Sequence, residues 1–376
     1  MNILDLLPST RRAVRNTRDS IESLKDSIES LRDSIESLKC ETTAQYDRVF
    51  SRTEQADIGI NGHLACEFER LEKAIKAHDS KTVIMLWELY RKDGELPEDA
   101  RKRFFKSIPP ATGPLRLHQL GCAQLLSEFN ELCKAHNLDY WIAFGTLLGA
   151  VRHGGFIPWD DDTDLGMTRA DIKKLVEIVE DDSRYSVSVV YDAFAFCRQI
   201  RFKYSNENIP CFLDLFLFDE VSDVTHATFE KQAALRGEMI EHFISQDWYQ
   251  EWQAAGYVSE NSILGEKAAA IFDAYLNQAE DDGIISANGS GLIWGIDNLT
   301  DLNGYDWICS KGDVLPTQRI AFEGAPCEAP ANIEKLLTEV YGNIYSLPDD
   351  ISTHFAHVDL TDSNLESLHL ENPDTV

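Results

Sequence analysis

The chain has 376 residues, of which 43% are hydrophobic, so it can bury a globular core. Its formal net charge of −29, from 35 basic and 64 acidic residues, argues against non-specific binding to nucleic acids or anionic membranes, because both attract basic surfaces. No stretch approaches the ~20 apolar residues of a membrane span, and the N-terminal stretch does not resemble a secretory signal. We therefore expect no nucleic-acid partner.

The eight cysteines contain no Cys-x-x-Cys pair, so their spacing indicates neither a zinc site nor a small disulfide framework. Buried, reduced thiols are the expectation for such a pattern, and they are typical of a cytoplasmic protein. We expect a cytoplasmic location, in which any membrane association is peripheral and at the inner face.

Three copies of a seven-residue unit occupy residues 19–39 and read DSIESLK, DSIESLR and DSIESLK. Isoleucine recurs at one core position and leucine at the other, as in a parallel two-stranded coiled coil. We predict that residues 1–45 form a coiled-coil oligomerisation segment and that the chain is a homo-oligomer. The alternative is a single amphipathic helix packed on its own domain, for which a strict 3.5-residue period is unusual.

Residues 46–112 read as a helical linker region, which is broken at DGELPED (residues 93–99) and ends in the turn-rich stretch SIPPATGP. A long helix is predicted next, and then short apolar runs of strand length alternate with helical patterns. The predicted strands are residues 140–144, 163–167, 186–191, 198–204 and 211–218, and the predicted helices are residues 115–136, 145–153, 170–179 and most of 225–278. Residues 361–376 read as an acidic flexible tail.

Four aspartates fall within five residues in the stretch GFIPWDDDTDLGM. If a strand begins near Asp162, the carboxylates of Asp162 and Asp164 project from one face at its mouth. Asp214 interrupts an apolar strand, where a charge is costly unless it is paired or bound to a metal. Since Mg²⁺ is bound by one or two carboxylates together with waters and substrate phosphates, these three residues are the candidate ligands for Mg²⁺ or Mn²⁺.

Other interpretations of these carboxylates remain open. The aspartate run is also compatible with a solvated acidic loop. It matches a calcium-binding EF-hand loop at three positions, but it has Leu165 where that loop needs glycine and Asp171 where it needs glutamate. Asp214 is alternatively a core carboxylate paired with Arg201 or Lys203.

Gly145 and Thr146 follow a predicted strand and open a predicted helix. Free backbone N–H groups at such a helix start lie at the positive end of the helix dipole and suit a phosphate. The order strand, Gly-Thr, helix and Asp-x-Asp resembles a nucleotidyltransferase-fold signature.

The stretch FGTLLGAVRHGGFIPWDDDTDLGM (residues 144–167) resembles the core motif of the LicD/fukutin-related family. A second stretch, FEGAPCEAPANIEKLLTEVYGNIYSLP, resembles the family's C-terminal pattern, with Asn343 where an aspartate is usual. The resemblance covers about residues 115–352. It implies an α/β (α+β) fold, with a nucleotidyltransferase-like mixed sheet flanked by helices in a catalytic domain over residues 113–360, preceded by the N-terminal coiled-coil helix.

The resemblance also implies a LicD-type phosphotransferase. Such an enzyme moves phosphocholine or an alditol phosphate from a CDP-activated donor to a hydroxyl of a capsule, lipopolysaccharide or other cell-surface glycan or glycolipid, and releases CMP. A peripheral association with a membrane glycan-assembly complex is expected as well.

Carried onto this chain, the family pattern makes Asp162, Asp164 and Asp214 the catalytic metal ligands. It places Gly145 and Thr146 against the donor phosphates. The planar guanidinium of Arg152 suits a phosphate too, although a salt bridge from Arg152 to Asp160 or Asp161 is an alternative.

Two rival functions remain compatible with the sequence. A nucleotidyltransferase on the same fold would release pyrophosphate instead of CMP. A non-catalytic coiled-coil scaffold is the other rival, but the three candidate carboxylates argue against it, because a buried Asp214 is costly without a role.

Overall fold

The computed structural model describes residues 84–299 and 306–347, together with nine positions between residues 22 and 37. The chain divides into two units, Met1–Tyr90 and Arg91–Val376. In the first unit, those nine positions are helical and exposed, and residues 84–90 form a helix. The isoleucine and leucine positions of the heptads and the tail at residues 361–376 lie outside the described residues, so the coiled coil, the oligomer and the tail stay predictions.

The second unit contains alternating helices and strands. The helices are α1 (Pro97–Ser107), α2 (Gly113–His136), α3 (Phe144–Arg152), α4 (Arg169–Glu180), α5 (His226–Ile244), α6 (Tyr249–Ala255), α7 (Ile263–Asp281) and α8 (Ile333–Tyr341). The strands are β1 (Tyr140–Ile142), β2 (Asp164–Thr168), β3 (Tyr185–Asp192), β4 (Cys197–Tyr204), β5 (Phe212–Val221), β6 (Tyr257–Ser259), β7 (Gly291–Trp294), β8 (Ile308–Ser310), β9 (Gln318–Phe322) and β10 (Ala325–Ala329).

The five predicted strands are present, with ends that differ from the prediction by at most three residues. The turn-rich stretch SIPPATGP connects two helices, since α1 ends at Ser107 and α2 begins at Gly113. Two elements differ in detail from the prediction. The predicted break at residues 93–99 already contains the start of α1, where Pro97 suits the first helical turn. The helical region at residues 225–278 also contains the short strand β6, which pairs with β3.

A mixed sheet organises the second unit. Its strand order is β1-β2-β5-β4-β3-β6, and β7 pairs with the end of β5 and with β8. Strands β2 and β5 are parallel neighbours, whereas the other described pairs in this sheet are antiparallel. Strands β9 and β10 form a separate two-stranded hairpin. This arrangement bears out the α/β (α+β) fold with a mixed sheet flanked by helices.

The two faces of β2 and β5 carry different side chains, because successive residues of a strand alternate between faces. One face presents Leu165, Leu213 and Leu215 to the main core, where Leu125 and Phe129 of α2 pack against the sheet. A second core lies among α5, α6 and α7. The other face of β2 and β5 carries the two strand aspartates and an aromatic cluster, and the candidate site lies there.

The six described cysteines are buried and free, as expected for reduced thiols; Cys40 and Cys66 lie outside the described residues. Within the part of the chain that the structure describes, no helix is long and apolar enough to cross a membrane.

Candidate active site

The aspartate run forms the loop between α3 and β2 and the first residue of that strand. Because β2 begins at Asp164, Asp162 lies in the loop, and the expectation that both carboxylates project from one strand was wrong. Asp160, Asp162 and Asp164 nevertheless line one cavity of about 350 Å³. The structure therefore brings the two predicted ligands of this segment together by the path of the loop rather than by strand alternation.

The third predicted ligand lies on the neighbouring strand. Asp214 of β5 is directly in register with Asp164 of the parallel strand β2. On its other side, Arg201 of β4 is in register with Asp214, and its Nε donates to Asp214 Oδ1 at 2.9 Å. The alternative interpretation, in which Asp214 is paired with Arg201, is thus also present in the structure. The ion pair occupies one carboxylate oxygen and leaves Asp214 beside Asp164.

The start of α3 approaches the aspartates closely. A Cβ atom on Gly145 would lie 2.9 Å from Asp160 Oδ2 and 3.8 Å from Asp164 Oδ2, so glycine is the residue that fits there. The Gly145 N–H donates to the Asp164 carboxylate. The buried Thr146 hydroxyl accepts from the Asp164 N–H at 2.8 Å, which fixes the start of β2. Contact of Gly145 or Thr146 with donor phosphates stays a prediction.

Burial and repulsion among the carboxylates together set the electrostatics of the cavity. Burial, followed by the charges of Asp162, Asp214 and Asp160, raises the pKa of Asp164 well above its usual value. Burial and the neighbouring Asp162 raise the pKa of Asp160 to about 8. Burial and the same aspartates also raise the pKa of Tyr341, which faces the cavity. Like charges held this close favour either protonation or a bound cation.

Arg152 lines the same cavity as the aspartates. Its Nη1 donates to the Ile344 and Ser346 carbonyls, both at 3.1 Å, and its guanidinium lies 4.7 Å from the centre of the Phe105 ring. Burial lowers its pKa to about 10. Arg152 therefore fastens the segment after α8 to α3. It also lines the cavity, so its predicted contact with a phosphate remains open to test.

Two polar residues of α2 that the sequence analysis did not single out support the aspartate loop. Buried His118 contacts the Asp161 carbonyl through Nε2 at 2.9 Å. Buried Gln119 donates from Nε2 to the Asp160 carbonyl at 2.8 Å and to the Ile157 carbonyl at 3.3 Å. The available signal was a His-Gln pair within the otherwise apolar pattern RLHQLGC, since buried polar side chains require hydrogen-bond partners.

Residues 137–252 match the family model described as LicD/FKTN/FKRP, nucleotidyltransferase domain. The matched stretch contains β1, α3, the aspartate loop and Asp214. This part of the chain is therefore similar to the nucleotidyltransferase domain of the LicD/fukutin-related family. The matched stretch, called the LicD domain below, includes the three predicted metal ligands and the Gly-Thr helix start.

Individual relatives agree with this assignment. The chain is 34% identical over 119 residues to the lipopolysaccharide cholinephosphotransferase LicD of Haemophilus influenzae, a match covering 28% of this chain and 45% of that protein. It is 41% identical over 81 residues to an uncharacterized protein of Rickettsia prowazekii, which covers 21% and 30%. It is 51% identical over 39 residues to the human ribitol 5-phosphate transferase FKRP, which covers 10% and 8%. The chain spans less than half the length of each of these relatives.

Proposed function

We propose that the chain is a metal-dependent LicD-type phosphotransferase. It moves phosphocholine or an alditol phosphate from a CDP-activated donor to a hydroxyl of a cell-surface glycan, such as lipopolysaccharide or capsule, and releases CMP. The observation that carries the proposal is the register of Asp164 and Asp214 on parallel strands. The charge of Asp162 also acts on Asp164, so the three carboxylates of the LicD domain form one cluster. The similarity to a lipopolysaccharide cholinephosphotransferase and to a ribitol 5-phosphate transferase supports the reaction class.

The donor atoms of the site fit a hard divalent cation. Asp162, Asp164 and Asp214 offer carboxylate oxygens, which Mg²⁺ and Mn²⁺ prefer, and a small number of protein carboxylates leaves positions for water and phosphate. Burial and the neighbouring aspartates raise the pKa of Asp164, and a bound cation would relieve the repulsion between these carboxylates. When bound, the ion supplies positive charge that stabilises the donor diphosphate and the departing CMP oxygen.

The residues of the chain position the two substrates. Gly145, at the start of α3, lines the carboxylate cavity, and we assign the donor diphosphate to this helix start, because the positive end of a helix dipole suits a phosphate. The acceptor oxygen attacks the phosphorus that carries the choline or alditol, and the bond from that phosphorus to the CMP oxygen breaks with its electron pair on CMP. Asp214, whose Oδ1 accepts from Arg201 Nε, is the carboxylate that we assign to take the proton of the acceptor hydroxyl. The Arg201 contact orients this carboxylate.

Phosphorus NMR tests the reaction. The full chain is incubated with Mg²⁺ and CDP-choline, CDP-ribitol or CDP-glycerol, with and without a glycan acceptor. We expect CMP and a new phosphodiester with one donor, and neither product with Asp162→Asn. Asp223→Asn, which changes an exposed aspartate, is the matched control and should retain activity. Pyrophosphate release from a nucleoside triphosphate, with no CMP from any CDP donor, would replace the proposal by nucleotidyl transfer.

A further inference from the structure

The face of the sheet that carries the aspartates continues into aromatic residues. Asp214 and Phe218 project from the same face of β5, since they are four residues apart. On β2, Gly166 follows Asp164 on that face, and Trp141 of β1 is in register with Gly166. A Cβ atom on Gly166 would lie 2.3 Å from the Trp141 indole, so the missing side chain lets the indole lie across the strand.

Five aromatic side chains line a cavity beside the carboxylate cavity. We call this cavity the aromatic pocket, and its aromatic residues are Trp141, Phe144, Phe218, Trp307 and Tyr341. The Trp141 and Phe218 rings lie 5.2 Å apart, and the Phe144 and Trp307 rings lie 5.1 Å apart. The pocket is much smaller than the carboxylate cavity, so its size suits one small group rather than a nucleotide.

Phe144 and Tyr341 line both cavities, so the aromatic pocket adjoins the carboxylates directly. Phe144 has a φ of 42°, a left-handed conformation that is strained for an aromatic residue. Such strain persists where the surrounding structure enforces it, and ligand sites are places where it occurs. This backbone conformation at the start of α3 sets the Phe144 ring at the junction of the two cavities.

The residues that line the aromatic pocket favour one of the two classes of transferred group, phosphocholine and alditol phosphate. Apart from indole N–H groups, the Tyr341 hydroxyl and the Cys309 thiol, its described lining is apolar. A polyol phosphate would leave several hydroxyls without hydrogen-bond partners there, which is unfavourable. A quaternary ammonium group forms no hydrogen bonds, packs its methyl groups on aromatic faces and is attracted by the electrons of those faces.

We propose that the aromatic pocket binds the trimethylammonium group of a choline-bearing donor, while the carboxylate cavity receives its phosphate. This inference rests on the proposed transfer reaction and identifies the group transferred as phosphocholine. The half-buried rings of Phe144 and Trp307 are the contact surfaces, whereas aromatic residues of the two other cores, such as Phe129 and Phe243, are fully buried.

Binding to the full chain in Mg²⁺ tests the proposal without turnover. Isothermal titration compares phosphocholine with 3,3-dimethylbutyl phosphate, which has the same shape but no positive charge, and with ribitol 5-phosphate. We expect phosphocholine to bind about tenfold more tightly than its isostere 3,3-dimethylbutyl phosphate, which lacks the positive charge, and more tightly than ribitol 5-phosphate. Equal affinity for phosphocholine and the isostere, or tighter binding of ribitol phosphate, would overturn the proposal.

Variants of Trp307 locate the effect. Trp307→Leu should reduce the affinity for phosphocholine to about that for the isostere, whereas Trp307→Phe, which keeps an aromatic face, should retain most of it. Phe194→Leu, which changes an exposed aromatic residue, is the control and should change nothing. If Trp307→Leu weakens both ligands equally, the ring contributes shape alone and the cation site is rejected.

The outcomes separate this inference from the proposed reaction. Selective phosphocholine binding that depends on Trp307, without CMP release from CDP-choline, supports the pocket and rejects the transfer reaction. CMP release from CDP-choline with a KM that Trp307→Leu leaves unchanged supports the transfer and rejects the pocket.

Discussion

Asp164 and Asp214 lie directly opposite each other on the parallel strands β2 and β5. Two carboxylates in this position repel each other, and Arg201 contacts only the Asp214 side of the pair. The charge on Asp164 is therefore unbalanced within a buried position, as the raised pKa of that residue indicates. This imbalance is the observation that favours the proposed binding of a cation.

Removing one predicted metal ligand should abolish activity without unfolding the protein. Asp162 lies in a loop, so Asp162→Asn should lower the rate of CMP release by about 100-fold or more at saturating Mg²⁺. The thermal midpoint should stay near that of the wild type. Activity is measured by CMP release and folding by circular dichroism, with Asp223→Asn as the control. An Asp162→Asn variant with wild-type turnover would show that this carboxylate does not bind the metal.

Replacing Asp164 should stabilise the metal-free protein at neutral pH. A carboxyl group with a raised pKa contributes stability below the pKa of the unfolded state and loses it as the pH rises through the folded pKa, so the ionised form destabilises the fold. Asn mimics the protonated form. Asp164→Asn should therefore melt at a higher temperature than the wild type in EDTA at pH 7.

Mg²⁺ should reverse that order. A ligand that binds only the native state, at a concentration of 100 times its Kd, stabilises that state by about 2.7 kcal/mol. The wild type should gain this stability from Mg²⁺, and Asp164→Asn should gain little. Calorimetry with and without Mg²⁺ checks both statements. An equal gain in the two proteins would place the metal elsewhere.

Gln119 lies outside the aspartate loop, on α2, but should affect the metal affinity of that loop. Its amide donates to the Asp160 carbonyl beside the predicted ligands. Gln119→Leu keeps the volume but removes the donor, so we expect Mg²⁺ affinity to fall about tenfold, as for other residues that support metal ligands. Isothermal titration with Mg²⁺ measures the change. Gln124→Leu, farther along α2, is the control, and an unchanged Kd in Gln119→Leu would contradict the assigned role.

His153 should make the stability depend on pH. Burial, then the charge of Arg152, lowers its pKa to about 4, and its ring contacts the Phe105 carbonyl and Arg152. A histidine with a lowered pKa contributes stability above its unfolded pKa of about 6.5, and that stability is lost as the pH falls towards the folded value. Between pH 6.5 and 4, the wild type should lose more stability than His153→Gln. Melting curves across this range, with exposed His136→Gln for comparison, measure the difference; parallel curves would reject it.

The heptad segment should set the number of subunits. Deletion of residues 1–39 removes the three repeats, and we expect a smaller assembly with unchanged turnover on a small soluble acceptor. Multi-angle light scattering measures the mass of both proteins. The same number of subunits after deletion would refute the oligomerisation segment and favour the alternative of a single packed helix.

Local patterns predicted much of the LicD domain. The apolar runs marked β1 to β5, and the turn-rich stretch after residue 107 marked the connection between α1 and α2. Asp162, Asp164 and Asp214 could be singled out because charges beside or within apolar strands are unfavourable without a partner. The aspartate loop was harder to place. Its carboxylates were expected to project from a strand that begins near Asp162, whereas β2 begins at Asp164, because the strand end depends on pairing with β1 and β5.

The sequence by itself determined the order of β1 to β5 and of the helices among them, the heptad pattern and the chemical identity of the carboxylates, because these follow from the spacing and type of neighbouring residues. Only the tertiary structure decided that β2 lies beside β5 in the register that opposes Asp164 to Asp214, and that Arg201 pairs with Asp214. It also decided that Gln119 holds the loop and that Phe144 and Trp307 share a pocket. These contacts join residues distant in the chain, so they depend on the packing of the whole sheet.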